Sequence, residues 1–397
     1  MTSLGRARQP RGSFDQRQLG RVRGERVELE LPLGRAPPQG ALVSLLARIE
    51  RPSDFERTWL RRQGVHVVLH VDEWHVVGHR GGLGGVADRL RAWLRRASTP
   101  GLTGERRALV VGVVLGDDGG LSDNLKSAFR RSGLYHLLAV SGQNVVLLAA
   151  GMLELALLLG IRRVWGHIGA LAAIGAYVLA VGPQPSVVRA AIAGAAVSVA
   201  WLLGRLRDAW RVLVLAAVVL IAWNPYTVFD AGFQLSFAAV IAIFLFAKPV
   251  RRELEGYPMT DWLRDALSLA TVCTLVTAPI LWLDFGRVPL YGVVANALAE
   301  PAMPPLLGLA FGAAAIDPVA PPLAEALAWL NGWLAAYVAL CARAVAAIPG
   351  AQVSGRAAAA AAAVALIGIA AVSRIASPGG STLQQWLHAF STRRSGP

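Results

Sequence analysis

The chain has 397 residues, 55% of them apolar and 16% charged, against roughly one quarter charged in soluble domains. Its mean hydropathy is +0.48, which sets it apart from ordinary soluble domains and in the range of membrane proteins. Lys and Arg number 39 against 25 Asp and Glu, a formal net charge of +14; membrane orientation accounts for the basic residues of the loops, but less easily for the N-terminal excess. Two cysteines, Cys273 and Cys341, both sit in apolar blocks and imply neither a disulfide framework nor a thiolate metal site.

Before about Arg131 the chain is rich in Arg and Glu. Alternating stretches at Arg26–Leu31, Leu42–Ile49 and Val65–Val77, with Gly and Pro between them, predict a small β-rich module. The opening MTSLGRARQPRG has no apolar signal segment. Three expectations follow: a cytoplasmic module, a module carried across by the first span, or a reading frame that begins upstream. As a strand, the 66–79 segment puts His66, His70 and Asp72 on one face and His75 and His79 on the other. That spacing matches no strong ligand motif, so it predicts a polar strand face and no metal. Arg57, Arg61 and Arg62 beside Trp59, and Arg89, Arg91, Arg95 and Arg96 beside Trp93, combine cations with aromatics as a nucleic-acid track would. An amphipathic helix at Ala87–Arg96 against anionic lipid headgroups is the alternative. The expected division is a basic β-rich region at 1–105, an amphipathic connector at 106–135, a membrane domain at 136–375 and a polar tail at 376–397.

Nine apolar blocks follow: His136–Gly160, Val164–Val181, Val187–Leu203, Trp210–Trp223, Ala231–Ala247, Ala266–Leu283, Leu290–Ala315, Leu323–Ile348 and Ala357–Ser373. Most approach the ~20 residues a helix needs to cross a bilayer, and the Trp210 block is short. The expected fold is mainly α, a polytopic transmembrane bundle of about 8–9 spans behind a small β-rich module. Frequent Gly and Ala let the helices pack closely. Basic residues gather after the first, third and fifth blocks (Arg162 and Arg163; Arg205, Arg207 and Arg211; Lys248, Arg251, Arg252 and Arg264), which places those loops in the cytoplasm and the region before His136 outside it. Nine full spans would return the Arg393–Arg394 tail to the inside; a re-entrant Leu290–Ala315 block, broken by Pro301, Pro304 and Pro305, would leave it outside.

The polar residues inside these blocks are the candidate site, because hydrocarbon offers them no water. His136, Ser141, Gln143 and Asn144 surround Gly142, read as a kink. They either line a path or hydrogen-bond between helices. Arg189, close to Pro183 and Pro185, is placed for an anion at a broken helix start, or else anchors its helix. Gln234 and Ser236 cannot share a helical face, and Gln234 is the lining candidate; Phe233 and Phe237, one turn apart, stack on bases or pack in the core. Asn296 and Glu300 lie four apart before a proline break, as a joint or a constriction.

HLLAVSGQNV at His136–Val145 resembles the HLLAxSGxHV signature of ComEC-type competence proteins, inner-membrane channels that admit single-stranded DNA during natural transformation. GPQPSVVRAAI at Gly182–Ile192, DAGFQLSFAAV at Asp230–Val240 and VPLYGVVANALAEP at Val288–Pro301 follow in the family's order, and PSDFERTWLRRQGV at Pro52–Val65 resembles the end of its OB-like domain. Together these cover residues from about 20 to about 350. The resemblance implies a multi-pass protein of the cytoplasmic membrane that translocates single-stranded DNA. It further implies membrane lipid, a separate nuclease, a DNA receptor and a cytoplasmic ATP-driven DNA motor as partners, with no cofactor. Three departures stand out. Asn144 replaces the family His, keeping donor and acceptor ability without acid–base chemistry; helices expected before the N-terminal module are missing; and no HxHxDH-type metallo-β-lactamase-like site follows the last block, so the chain is expected not to be an enzyme. A small-solute secondary transporter, a reduced inactive relative, and an intramembrane enzyme built on Ser141 and His136 remain as alternatives.

Overall fold

The computed structural model describes residues 1–3, 15–22, 25–32, 37, 40–50, 65–182, 184–202 and 208–376. They form two compact units. The first comprises Met1–Leu121, Leu138–Val219 and Leu307–Gly332; the second comprises Ser122–Leu137, Leu220–Leu306 and the chain from Trp333 onward.

In the first unit, five strands close a barrel: β1 (Thr2–Ser3), β2 (Asp15–Val22), β3 (Glu25–Pro32), β4 (Ala41–Glu50) and β5 (Val65–His79), in the order β1-β2-β3-β5-β4 with β4 returning to β1. Among the described residues, only the β3–β5 pair is parallel. This closed five-stranded arrangement is OB-like, and the three alternating stretches read from sequence are β3, β4 and β5. Alternation puts Val27, Leu29 and Leu31 of β3 inward against Leu69 and Val71. The register of β4 on β5 slips between Leu42 and Val43 and again between Leu46 and Ala47, which lets a strand of 15 residues bend around the barrel. Buried Gln18 of β2 donates to Ser3 Oγ (2.8 Å) of β1 and to the Pro37 carbonyl (2.9 Å). Of the histidines, His70 sets Nδ1 2.9 Å from Glu30 Oε2. On the outer face Arg48 hydrogen-bonds to Asp72 and holds that carboxyl below its usual range, a solvent-screened effect. Arg57, Trp59, Arg61 and Arg62 lie outside the described residues.

The described helices are α1 (Gly82–Ala97), α2 (Gly104–Leu115), α3 (Asp123–Ser132), α4 (Gly142–Leu158), α5 (Arg163–Val181), α6 (Pro185–Leu202), α7 (Ala209–Trp223), α8 (Ala231–Glu253), α9 (Asp261–Phe285), α10 (Gly292–Ala299), α11 (Met303–Ile316), α12 (Pro321–Ala347) and α13 (Gly355–Ala376). Among the described residues, seven segments are long and apolar enough to cross a membrane: Leu134–Leu158, α5, α6, α8, α9, Gly292–Ile316 and α12. Their outward residues are apolar and exposed, such as Leu155 and Leu158 of α4 and Leu245 of α8, the surface a helix presents to lipid. Exposed Trp165, Trp201, Trp262 and Trp282 mark helix ends, where interfacial aromatics sit. The short Trp210 block is α7, whose 15 residues reach only ~22 Å.

Two blocks are broken rather than continuous. The first opens as a 3₁₀ turn at Leu134–Leu137 and restarts as α4 at Gly142, so Gly142 is a helix start and not a kink inside a helix. The block containing Asn296 is α10, a 3₁₀ turn at Glu300–Ala302 and α11. Pro301 cannot donate to a continuing ladder, whereas Pro304 and Pro305 fall in the first turn of α11, where proline is tolerated.

In the second unit α9 packs on α8 and α13, and β6 (Arg287–Pro289) pairs with β7 (Gln352–Ser354). Val288 is buried there with Ala278, Ala358 and Ala365. Gly133 ends α3 at φ 82°, and a Cβ on it would lie 3.0 Å from Pro289 Cγ and 3.3 Å from Gly292 Cα. The segment leading into the first motif therefore docks on the fourth.

Leu29→Ala empties the centre of the barrel and is expected to cost about 2–5 kcal/mol. Limited proteolysis should then cleave the barrel much faster than in the parent while leaving the helical region intact.

Candidate functional site

Helix α2 has an unusual setting for a segment of 12 residues: Leu109 to Leu115 are all buried. It stops at Gly116, which adopts φ 66° and returns its N–H to the Gly112 carbonyl. The carbonyls of the last turn have no intrahelical donor, and among apolar helices no water replaces one. Three successive carbonyls are met by side chains of three different helices. Asn144 Nδ2 of α4 donates to Val113 O at 2.8 Å, Tyr177 of α5 donates its hydroxyl to Val114 O at 2.6 Å, and Arg91 Nη2 of α1 donates to Leu115 O at 3.3 Å.

These side chains also bind one another and their neighbours. Asn144 gives its second amide hydrogen to the Tyr177 hydroxyl at 2.9 Å, and Ser141 Oγ donates to Asn144 Oδ1 at 3.0 Å. The amide orientation is dictated by Val113 O, which can only accept. Arg91 Nη1 reaches the Ala180 and Val181 carbonyls at 3.2 Å each, so one guanidinium serves the C-termini of α2 and α5, where the helix dipoles favour a cation. Arg95 Nη2 meets the buried Asp117 carboxylate at 2.6 Å just beyond α2. The ring of Tyr177 stands edge-on to Phe311 of α11 at 5.7 Å.

The second motif packs onto this junction. Ser186 Oγ donates to Val140 O at 2.8 Å, immediately before α4. A Cβ on Gly142 would lie 3.2 Å from Ala190 Cβ and 3.5 Å from Arg189 Nη2, so the glycine admits α6 and its guanidinium to the start of α4. A Cβ on Gly116 would lie 2.9 Å from Val140 Cγ2 and 3.5 Å from Gln184 Nε2. Ser141 is the N-cap residue of α4 but places no side-chain bond on the helix's own N–H groups. A cation thus lies beside a helix N-terminus, both favourable to an anion.

The sequence-predicted residues divide between the two units. Ser141, Gln143, Asn144 and Arg189 belong to the first, where Ser141 and Asn144 are bonded and Arg189 lies against Gly142. His136, Gln234, Asn296 and Glu300 belong to the second. His136 is exposed, with Nδ1 3.0 Å from the Gly133 carbonyl. Gln234 Nε2 donates to Val228 O at 3.0 Å, while Asp230 caps α8 through Phe233 N–H, and Phe233 stacks on Phe237 at 4.3 Å. Asn296 is half-buried and Glu300 exposed.

Sequence reasoning missed Tyr177, Asp117 and Ser186, and it grouped Arg91 and Arg95 with a nucleic-acid track. Their four-residue spacing puts both on the inward face of α1, whereas Arg89, Trp93 and Arg96 share the exposed face.

Membrane-length helices behind a small barrel define a multi-pass membrane protein. The family model described as Competence protein matches residues 113–377, and the chain belongs to that family. ComE operon protein 3 of Bacillus subtilis (strain 168) is 32% identical over 202 residues, covering 49% of this chain and 24% of that protein. Competence protein ComA of Neisseria gonorrhoeae is 28% identical over 258 residues, covering 61% and 36%. The uncharacterized protein YcaI of Escherichia coli (strain K12) is 27% identical over 210 residues, covering 49% and 27%. The chain thus spans between 24% and 36% of the length of these curated relatives. No solved structure matches it.

Removing one partner from a satisfied buried network leaves the others orphaned. Asn144→Ala and Tyr177→Phe should each destabilise the bundle by about 1–2 kcal/mol. The double variant should lose clearly less than the sum, as read by thermal unfolding in detergent; strict additivity would contradict the coupling.

Proposed function

We propose that this chain forms part of the path by which single-stranded DNA crosses the cytoplasmic membrane in natural transformation, acting by passage rather than catalysis. The reading is supported by membership of the competence family and, above all, by Arg189 lying against the glycine start of α4. A strand carrying one phosphate per nucleotide needs a wet route with a few cationic and hydrogen-bonding groups, held firmly but not so attractive that movement stalls. Arg189 would meet phosphate, with Gln143 beside it as an uncharged donor, while Ser141, whose hydroxyl hydrogen is given to Asn144, holds the start of α4. Asn144, 2% exposed and with both amide hydrogens in use, acts as a positioning residue that fixes the start of α4 relative to α2 and α5. His136, Gln234, Asn296 and Glu300 of the second unit are further polar candidates for contact with the strand, and Arg57, Trp59, Arg61 and Arg62 are candidates for contact with DNA before it enters. A nuclease, a DNA receptor and an ATP-driven motor on the cytoplasmic side complete the proposed machinery.

Arg189→Gln should reduce entry of labelled DNA into the cytoplasm by at least about tenfold, the scale of one lost charge-assisted contact, with Arg189→Lys retaining part of it. The measurement is uptake in a competent host whose own relative has been deleted, with membrane insertion checked by protease accessibility. Normal uptake by the Gln variant would remove Arg189 from the path. Solute accumulation that needs no DNA would favour a secondary transporter instead.

A further inference from the structure

A cavity lies at the other end of α4. Counting from Asn144, Glu154 is ten residues further along the helix, ~15 Å at 1.5 Å per residue, so the cavity is separate from the junction at α2. It has a volume of about 210 Å³, and its lining includes Leu153, Glu154, Leu157, Arg163, His167 and Trp201. Gly166 of α5 forms part of the wall. A Cβ there would lie 3.0 Å from Ala156 Cβ, so the small residue lets α4 and α5 meet beneath the cavity. His167 is buried and stacks on Trp201 with ring centroids 4.2 Å apart, giving a flat, rigid side. Trp165, exposed and next in sequence to Gly166 of the lining, marks the zone where membrane meets water.

Glu154 and Arg163 line this one cavity with opposite charges, yet among the described residues neither makes an ion pair with the other or with any other group. Both are exposed side chains at the rim, above walls of Leu153 and Leu157. A single anion would face Glu154, and a single cation would face Arg163. A ligand with both charges a few bonds apart, and an apolar tail, satisfies each group at once. We propose that this cavity binds a zwitterionic phospholipid bearing a primary ammonium, a phosphatidylethanolamine, with its phosphate on Arg163, its ammonium on Glu154 and an acyl chain along Leu153 and Leu157. Basic pockets between membrane helices on the cytoplasmic side hold anionic headgroups, and the carboxylate of Glu154 is what sets this cavity apart from them. The ammonium has three N–H donors for a carboxylate, whereas a choline headgroup has none and a glycerol headgroup has no positive charge.

The test is native mass spectrometry of the full chain released from nanodiscs made of equal parts phosphatidylethanolamine, phosphatidylcholine and phosphatidylglycerol with the same acyl chains. The parent should retain phosphatidylethanolamine in preference to both others. Glu154→Gln and Arg163→Gln, surface changes that leave the helix packing in place, should each lower that retention roughly tenfold. Thermal unfolding of both variants should match the parent, which separates lost binding from lost folding. Equal retention of the three lipids, preference for phosphatidylglycerol, or unchanged phosphatidylethanolamine on either variant would overturn the proposal. Loss with Arg163→Gln alone would also overturn it, because it would reduce the site to one that recognises phosphate.

Discussion

The C-terminal carbonyls of α2 set the terms for the first unit. A short helix ending among membrane-length helices has no water to take up its last carbonyls, and every unmet one carries the full cost of desolvation. Val113, Val114 and Leu115 are therefore answered in succession by Asn144, Tyr177 and Arg91, from α4, α5 and α1. Because those donors come from three helices, satisfying one helix end fixes the relative placement of four. The start of α4, and with it the approach of Arg189 to Gly142, depends on that arrangement.

Asn144 illustrates how side-chain chemistry suits this task. A primary amide has two donors on one nitrogen and can serve a carbonyl and a hydroxyl together, while a neutral imidazole has a single N–H. The residue that stands where the family pattern has His therefore works here as a structural donor. Tyr177 complements it, accepting from Asn144 and donating to Val114, so that no hydrogen in the pair is idle. The polar density of the first motif, intolerable to lipid, is explained in part by bonds of this kind.

The first and second motifs meet within the first unit. Residues 138–151 meet the second motif through Ser186 and Gly142, and the turn before them meets the fourth motif at Pro289 and Gly292. The third motif folds largely on itself, with Asp230 and Gln234 closing the start of α8 and Phe233 stacked on Phe237. Several residues that look like lining in a linear reading are thus engaged in holding helix starts. Apolar helices cannot rely on the hydrophobic effect to choose their partners within lipid, so small residues and a few polar bonds do so.

The alternation of β3 and β5, the lengths of the apolar blocks and the proline break after Glu300 were legible in the sequence, since period, span length and proline geometry act locally. The class of the protein and the order of its motifs followed from the same linear record. Closure of the barrel through a parallel β3–β5 pair, the restart of the chain at Gly142 and the inward commitment of Arg91 and Arg95 were decided only by tertiary structure. The reason is that a hydrogen-bonding side chain is defined by its acceptor. Tyr177 finds its acceptor 63 residues away, and Arg91 finds two of its own 89 and 90 residues away. No local pattern encodes such a distance; only packing brings the donor to the carbonyl that needs it.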